Sequence, residues 1–285
     1  MADFDDSFLD CTAHRPWPLP DSPWIMTQSW HDLLFAHWPV DVTQLRQKVP
    51  APFEIDLFDR QAWVGVIPFH MSNVAPRGLP ALPWISAFPE LNVRTYVTVG
   101  NKPGVYFFSL DASNPLAVVT ARTLFHLPYY TATMTVEPKD GWIEYVSRRR
   151  SGSGPPATFT GRYWAEGDPR EPEPGTLEHF LTERYCLYTL DRRSRPSRLE
   201  IHHRRWSVQP ARLDLSLNTM ADAAGIQLPA IPPHLLFAKR MDMVAWGLRG
   251  AEGTEGPETE GTEDTGRDQH GGTEPRRVTE FTKGT

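Results

Sequence analysis

Apolar and polar residues alternate most regularly between positions 91 and 99. In this segment, LNVRTYVTV, leucine, valine and threonine take the odd positions, while asparagine, arginine, tyrosine and threonine take the even ones. A period of two residues is that of a β-strand whose two faces have different surroundings. The turn residues GNKPG at 100–104 and a second apolar run at 105–111 follow. The region therefore predicts a β-hairpin.

A helix is predicted over 115–125, directly after this hairpin. Ser113 or Asn114 fits the N-cap position, and the proline at 115 suits the first helical turn. The apolar residues of the segment fall in one stripe, and Arg122 lies at the edge of that stripe. A guanidinium group in this position must reach solvent or find an anionic partner, because burying it alone is costly.

Similar patterns predict strands and short helices along the rest of the chain. The predicted strands are 24–38, 53–58 paired with 62–71, 131–136 paired with 142–149, 157–165, 185–190, 199–208 and 235–246. Short helices are predicted at 41–48, with Gln44 completing a capping box, at 177–184, and after Asn218. The proline-rich segment 72–89 predicts either a binding loop or a loop packed over the end of a barrel.

Many short strands with a few short helices predict an α+β fold built on a curved antiparallel sheet or β-barrel. We expect one domain over 24–249, because no linker-like segment divides it. Residues 1–23 are rich in proline and predict an arm on the surface of the domain. Residues 250–285 are rich in Gly, Glu and Thr and predict a disordered acidic tail.

The charge distribution argues against a nucleic-acid partner. The net charge is -6, but residues 250–285 hold nine acids and four bases, so the predicted domain is nearly neutral. No apolar run is long enough to span a membrane, and the acidic N-terminus is unlike a signal peptide, so a cytoplasmic location is expected. Cys11 and Cys186 are too few and too far apart for a disulfide framework or a metal site. The sequence also has no glycine-rich phosphate loop and no zinc-protease motif, so no cofactor is expected.

The polar face of the strand at 91–99 is the strongest candidate for a binding site. Asn92, Arg94 and Tyr96 share this face, and the bulky residues of the next strand indicate a sheet covered on both sides. An arginine in such a sheet needs a counter-charge or a ligand. Glu90 and Asp111 are available as internal partners, so a buried ion pair is the alternative to a ligand site.

The adjacent histidines and the arginine clusters are predicted to lie on the surface without a binding role. His202 and His203 are adjacent on a predicted strand and point to opposite faces, so they cannot share a metal ion. Three acidic residues, Glu144, Asp191 and Glu200, are interleaved with the arginines at 148–150, 192, 193, 195, 204 and 205, which favours a solvated rim of hairpins over an RNA-binding surface.

Five segments resemble the YqjF-like family of uncharacterised proteins. They read HRPWPLP, WHDLLFAHWPV, ELNVRTYV, GVYFFSLDA and LPYYTATM, and the likeness extends over 14–246. That family looks related to acetoacetate decarboxylase, which implies a barrel-like sheet around a central cavity. The resemblance also places the decarboxylase's pair of catalytic lysines at Tyr129 and Tyr130. A phenol cannot form a Schiff base, and Lys239 is the one lysine that remains as a substitute.

Together these observations predict a protein that binds a small organic anion or keto compound in a central cavity. Arg94 and Arg122 are expected to anchor the anion, and Tyr129 and Tyr130 to donate hydrogen bonds. Glu90, Asn92 and Tyr96 complete the predicted site. Two alternatives stay open: an enzyme that uses tyrosine and arginine for proton transfer or enolate stabilisation, and a scaffold whose core is filled. A homo-oligomer is compatible with the sequence.

Overall fold

The structure is a computed structural model, and it describes residues 4–82 and 85–251. The described residues belong to one compact unit. Its strands are β1 Met26–Val40, β2 Glu54–Ile55, β3 Ala62–Pro76, β4 Phe88–Val99, β5 Lys102–Ala112, β6 Tyr129–Lys139, β7 Trp142–Arg149, β8 Thr158–Ala165, β9 Cys186–Leu190, β10 Pro196–His203, β11 Gln209–Asn218, β12 His234–Ala245 and β13 Arg249–Gly250. The helices are α1 Val42–Arg46, α2 Pro115–Phe125 and α3 Leu177–Thr182, and a 3-10 turn covers Asp222–Ala224.

The sheet forks at two strands and closes on itself twice. Along one edge of β5, the start of the strand pairs with β9 and its end pairs with β6. Along one edge of β12, the start of the strand pairs with β11 and its end pairs with β10. One closed circuit runs through β4, β5, β6, β7, β8, β11, β12, β1 and β3, and we call it the nine-strand ring. The other runs through β4, β5, β9, β10, β12, β1 and β3, and we call it the seven-strand ring. The two rings share a wall made of β5, β4, β3, β1 and β12.

Alternation along the shared wall sends neighbouring side chains into different rings. Leu91 and Val93 of β4 pack with Tyr145 and Phe159 inside the nine-strand ring, in one buried cluster. Phe88 and Tyr96 of the same strand belong to the buried cluster of the seven-strand ring. Each strand of the wall therefore contributes side chains to two cores. The alternation along 91–99 in the sequence arises because successive residues face different rings.

The predicted α+β barrel with a few short helices is confirmed, with differences in its pairings. Two pairings, β5 with β6 and β5 with β9, are parallel, so the sheet is mixed. The hairpin predicted for 53–58 and 62–71 is wrong: β2 has two residues and pairs with β4. Strand β11 was not predicted, although the segment ARLDLSL alternates clearly between apolar and polar residues.

Helix boundaries depend on capping residues. Asn114 is the N-cap of α2, since its side chain accepts hydrogen bonds from the backbone N–H groups of Leu116 and Ala117. Asp41 caps α1 in the same way. The capping box predicted for Gln44 does not form, because the Gln44 side-chain oxygen accepts its hydrogen bond from the backbone N–H of Gln227 instead.

The N-terminal segment packs on the domain through both apolar and charged side chains. Phe8 is buried in a cluster with Val244 and Trp246. The Arg15 guanidinium donates to the Glu200 carboxylate at 3.1 Å, and both side chains are buried. From residue 252 onward, the predicted acidic tail lies outside the described residues. Within the described residues, no helix is long and apolar enough to cross a membrane.

Candidate functional site

A cavity of about 450 Å³ lies in the seven-strand ring. Its walls are the inward faces of the shared strands together with β9 and β10, and α2 lies across one side. Most of the lining is apolar. The volume is within the range typical of small-molecule pockets.

Polar side chains enter this cavity as a stripe along β4. Glu90, Asn92 and Arg94 occupy alternate positions of the strand, so all three face the cavity. Glu90 and Asn92 are only 3% and 5% exposed. The carboxylate predicted as an internal partner of Arg94, Asp111, instead pairs with Arg149.

Burial favours the protonated form of the Glu90 carboxyl group, although two hydrogen bonds to it favour the ionised form. Tyr129 donates its hydroxyl to Glu90 Oε2 at 2.8 Å, and the Asn92 side chain also hydrogen-bonds the carboxyl group. Burial, with a smaller contribution from the negative charge of Asp111, raises the pKa of Glu90 to about 8. Burial and the adjacent Glu90 raise the pKa of Tyr129 well above its ordinary value. Near neutral pH the pair is therefore a carboxylic acid beside a neutral phenol.

Arg94 brings a positive charge into the cavity without a carboxylate partner among the described residues. Its Nη2 donates to the carbonyl oxygen of Leu181 at 3.1 Å, and its guanidinium carbon lies 5.5 Å from the centre of the Phe35 ring. Its Nε is buried and has no hydrogen-bond partner in the described part of the chain. A carboxylate or keto oxygen from a ligand would supply the missing acceptor.

Two further buried polar atoms of the lining have no partner among residues 4–82 and 85–251. They are Asn92 Oδ1, an acceptor, and Trp206 Nε1, a donor. The Trp206 ring packs edge-on against Phe35 at 5.0 Å, the same ring that Arg94 contacts. Arg94 and Trp206 therefore each place a hydrogen-bond donor near the Phe35 ring. Buried polar groups are normally hydrogen-bonded, so a group of polar atoms without hydrogen-bond partners is typical of a site that receives a polar ligand.

A second arginine of the lining differs from Arg94 in having a counter-ion. Arg184 donates to the Asp56 carboxylate at 2.6 Å and to the carbonyl oxygen of Phe180. Its guanidinium also lies over the Tyr96 ring, 4.8 Å from the ring centre. The charge of Arg184 is thus balanced within the protein, which leaves Arg94 as the cation available to a ligand in the described lining.

The structure brings together four of the seven predicted site residues. Glu90, Asn92, Arg94 and Tyr129 all line the cavity. Tyr96 is buried behind them, where its hydroxyl donates to the Leu181 carbonyl oxygen and accepts a hydrogen bond from His37 Nε2. Tyr96 therefore supports the lining near Arg94 rather than forming part of it.

Arg122 does not join the predicted anion site. Its side chain is exposed and does not line the cavity, because Ala117, Ala121 and Phe125 turn that face of α2 inward. Arg122 lies in the last turn of α2, where the carbonyl end of the helix favours a positive charge. Sequence periodicity located the apolar stripe but did not show which edge of it meets the cavity.

Tyr130 is also outside the cavity, since adjacent residues of a strand point to opposite faces. It lines a separate pocket of about 210 Å³, and its ring lies 3.8 Å from the guanidinium carbon of Arg149. Arg149, predicted to lie on a solvated rim, is buried and makes two hydrogen bonds to Asp111 at 2.7 and 2.8 Å. Of the two predicted catalytic tyrosines, only Tyr129 faces the main cavity.

The lining residues that sequence reasoning missed include Arg184, His203 and Trp206, whose side chains can bind a polar ligand. His203 was predicted to be an ordinary hairpin residue, yet it is 1% exposed and stacks on Tyr185 with the ring centres 4.8 Å apart. Its neighbour His202 is equally buried but faces the N-terminal segment, where it contacts the Phe8 carbonyl oxygen. The sequence HHRRW at 202–206 carried one usable signal, a tryptophan directly after a strand rich in polar residues.

No described lysine lines the cavity. Lys239, the one substitute left open by the sequence, is 77% exposed at its side chain and pairs with Asp32 at 2.6 Å. The apolar, partly enclosed surroundings that activate a Schiff-base lysine are absent at that position.

Comparison with known proteins identifies the family. A model of the DUF2071 family, described as an uncharacterised conserved protein, matches residues 27–242. The chain belongs to this family. The uncharacterised protein YqjF of Bacillus subtilis (strain 168) is 48% identical over 231 residues, which cover 81% of this chain and 94% of that protein. The predicted membership of a YqjF-like family is confirmed.

Solved structures similar to this chain include acetoacetate decarboxylase and an acetoacetate decarboxylase-like enzyme from Sphingomonas wittichii RW1. A structure of acetoacetate decarboxylase gives a TM-score of 0.55 at 14% identity, covering 81% of this DUF2071 chain and 90% of that chain. The enduracididine biosynthesis enzyme MppR, complexed with pyruvate, gives a TM-score of 0.55 at 10% identity and covers 80% and 91% of the two chains. At these identities the likeness establishes a shared fold, and it confirms the predicted fold class.

Proposed function

We propose that this DUF2071 protein binds a small organic carboxylate or keto acid in the cavity of the seven-strand ring, without forming a Schiff base. Arg94 holds the carboxylate, Trp206 donates a further hydrogen bond, and Glu90 with Tyr129 contacts the keto or hydroxyl group. The observation that carries the proposal is the charge balance of the described lining. Arg94 has no counter-ion there, whereas Arg184 has one.

The fold supports this choice of ligand class. MppR, which shares the fold, has been solved with pyruvate, a keto acid, and acetoacetate decarboxylase is named for another. In this chain the absence of a lysine from the described lining separates binding of such an acid from Schiff-base chemistry. Borohydride with acetoacetate or pyruvate is therefore expected to give no covalent adduct.

Calorimetric titration with a panel of carboxylates tests the anchoring role. Arg94→Met removes the charge and keeps an apolar stem, so affinity should fall about tenfold to a hundredfold, as expected for a lost charged hydrogen bond. Arg122→Met is the matched control, because it removes an arginine from outside the cavity and should leave affinity unchanged. Equal affinities of the two variants would contradict the proposal, and so would binding by neither the wild type nor the control.

An enzyme that transfers protons is the second candidate, and the Glu90–Tyr129 pair favours it. An acid whose pKa is near 8 can both take and return a proton close to physiological pH. In the reaction that fits, ionised Glu90 accepts a proton from the carbon beside the keto group, Arg94 and Tyr129 stabilise the enolate oxygen, and Glu90 returns the proton. Proton NMR in D₂O would detect this exchange as loss of the α-proton signal of a bound keto acid.

The exchange experiment has its own control. Glu90→Gln should abolish the enzyme-dependent exchange, whereas Glu54→Gln, which alters an exposed residue of β2, should not affect it. Exchange that persists in Glu90→Gln, or no exchange in the wild type while ligand binds, would reject the enzymatic candidate and leave the binding function standing.

A further inference from the structure

The polar groups occupy only part of the cavity, and the remainder is an apolar chamber beneath α2. Helix α2 contributes apolar side chains from two adjacent rows, including Ala117, Ala121 and Phe125. The facing wall is formed by Met243 and Ala245 of β12 with neighbouring aliphatic residues of β1 and β10. We call this region the α2 chamber.

The α2 chamber and Arg94 lie toward opposite ends of β4. The start of α2 is tied to the start of β4, since the backbone N–H of Ser113 donates to the carbonyl oxygen of Pro89. Arg94, in contrast, is tied to Leu181 of α3. Phe88 and Arg94 are both lining residues although they are six positions apart on β4, so the cavity extends along most of this strand. An extended ligand is needed to reach from one end to the other.

A short keto acid would leave the α2 chamber unfilled. Buried apolar surface that no ligand contacts adds nothing to binding, whereas each methylene group placed there contributes to affinity through the hydrophobic effect. An apolar pocket with a few polar groups at one place is the usual arrangement for a ligand with an apolar body and a polar end.

Helix α2, which covers the α2 chamber, also has apolar side chains on its solvent-exposed edge. Leu116 and Leu124 line the cavity and are nevertheless 54% and 59% exposed. Val118 is the one residue of α2 that is fully buried. Exposed leucines at the rim of a cavity indicate an apolar surface that a ligand meets on the way in.

We propose that the ligand is an amphipathic carboxylic acid, whose carboxylate lies at Arg94 and whose apolar acyl or aryl body runs along β4 into the α2 chamber. This inference rests on the proposed function, because it uses the same anchor. It adds the chemical class of the ligand: a medium-length monocarboxylate in place of a short keto acid.

A chain-length series on the unmodified protein tests the inference without relying on any variant. Butanoate, hexanoate, octanoate and decanoate, all below their micellar concentrations, are titrated by calorimetry. Affinity should rise roughly fourfold for each added methylene group until the chamber is full. Octanol, which has the chain without the charge, should bind at least tenfold more weakly than octanoate.

Two substitutions in α2 locate the chain. Ala121→Trp fills the chamber and should weaken octanoate at least tenfold while leaving butanoate within twofold of the wild type. Val119→Trp adds the same side chain on the exposed face of the helix and should change neither affinity. Ala117→Trp replaces Ala121→Trp if the latter lowers the melting temperature by more than Val119→Trp does.

The outcomes separate this inference from the proposed function. If butanoate and octanoate bind with equal affinity, or if Val119→Trp weakens octanoate as much as Ala121→Trp, the ligand class is wrong while carboxylate binding stands. If no carboxylate of any length binds, the proposed function fails together with the inference.

Discussion

The two faces of the shared strand wall belong to the same strands but have different surroundings: one packs in an apolar core and the other borders a cavity. On the side of the nine-strand ring, Leu91 and Val93 of β4 are fully buried against aromatic residues such as Phe159. On the side of the seven-strand ring, the intervening residues Glu90 and Asn92 face a cavity. One strand therefore contributes to a close-packed core through its odd positions and to a candidate binding site through its even ones.

This comparison separates stability from function along a single strand. The inward side chains of the nine-strand ring form one buried apolar cluster, so we expect this ring to stabilise the fold. On the cavity side, Asn92 Oδ1, Arg94 Nε and Trp206 Nε1 are buried without partners among the described residues, an arrangement that costs stability and that a polar ligand would relieve. Substitutions of the same type on the two faces should therefore have different consequences.

Large-to-small substitutions should show the greatest difference. Phe159→Ala removes a ring from a filled core and should lower the free energy of unfolding by about 4 kcal/mol. Phe69→Ala removes a ring that borders the cavity, where partner atoms are already missing on one side, and should cost about 2 kcal/mol. Urea denaturation of the two variants measures the difference, and equal losses would remove the distinction between the rings.

The pH dependence of stability should reveal the acid on the cavity face. The folded-state pKa of Glu90 is raised to about 8 from its ordinary value of 4.5, so its contribution to stability is present at low pH and lost as pH rises through 8. Between pH 5 and pH 9 the wild type should lose on the order of 3 kcal/mol through this group, since water entering the cavity lessens the full effect.

Substituting Glu90 provides the control for that measurement. Glu90→Gln stays neutral at every pH, so the free energy of unfolding of the wild type, taken relative to that of Glu90→Gln, should fall over the same interval. Glu54→Gln, at an exposed position, should keep the slope of the wild type. Parallel slopes for the wild type and Glu90→Gln would mean that Glu90 is ionised in the folded protein.

Small-to-large substitutions should give the smallest but most selective effect. Val93→Phe forces a larger side chain into the filled ring and should cost about 2 kcal/mol. Val105→Phe places the same side chain on the cavity lining, where there is room, and should change stability by less than about 0.5 kcal/mol. Thermal melts of both variants provide the comparison, and a Val105→Phe protein as unstable as Val93→Phe would mean that the cavity is not there.

The sequence predicted the part of the site that depends on strand alternation. The period of two along 91–99 correctly put Asn92 and Arg94 on one face, and the resemblance to the decarboxylase-like group placed Tyr129 near them. Arg122 was assigned to the same site because helical periodicity gives the rows of a helix without saying which edge meets a cavity. Tyr130 was assigned there although it is adjacent to Tyr129 in a strand, and alternation alone would have excluded it.

Other features depended on distant pairings that no local pattern specifies. The fork of the sheet at β5 and β12 comes from strands that meet different partners along one edge, and it creates the second ring. His203 and Trp206 line the cavity because β10 closes that ring against β12. The pairing of Asp111 with Arg149, rather than with Arg94, also follows from the placement of β7 next to β6.

The most direct test of the account is a crystal structure of the protein soaked with ω-bromooctanoate, with the bromine located by its anomalous signal. The account predicts a carboxylate within hydrogen-bond distance of Arg94 and a bromine peak between α2 and β12. A bromine peak beside Arg94, a ligand bound near Arg122 or in the pocket of Tyr130, or a soaked crystal with no bromine in the cavity would contradict it.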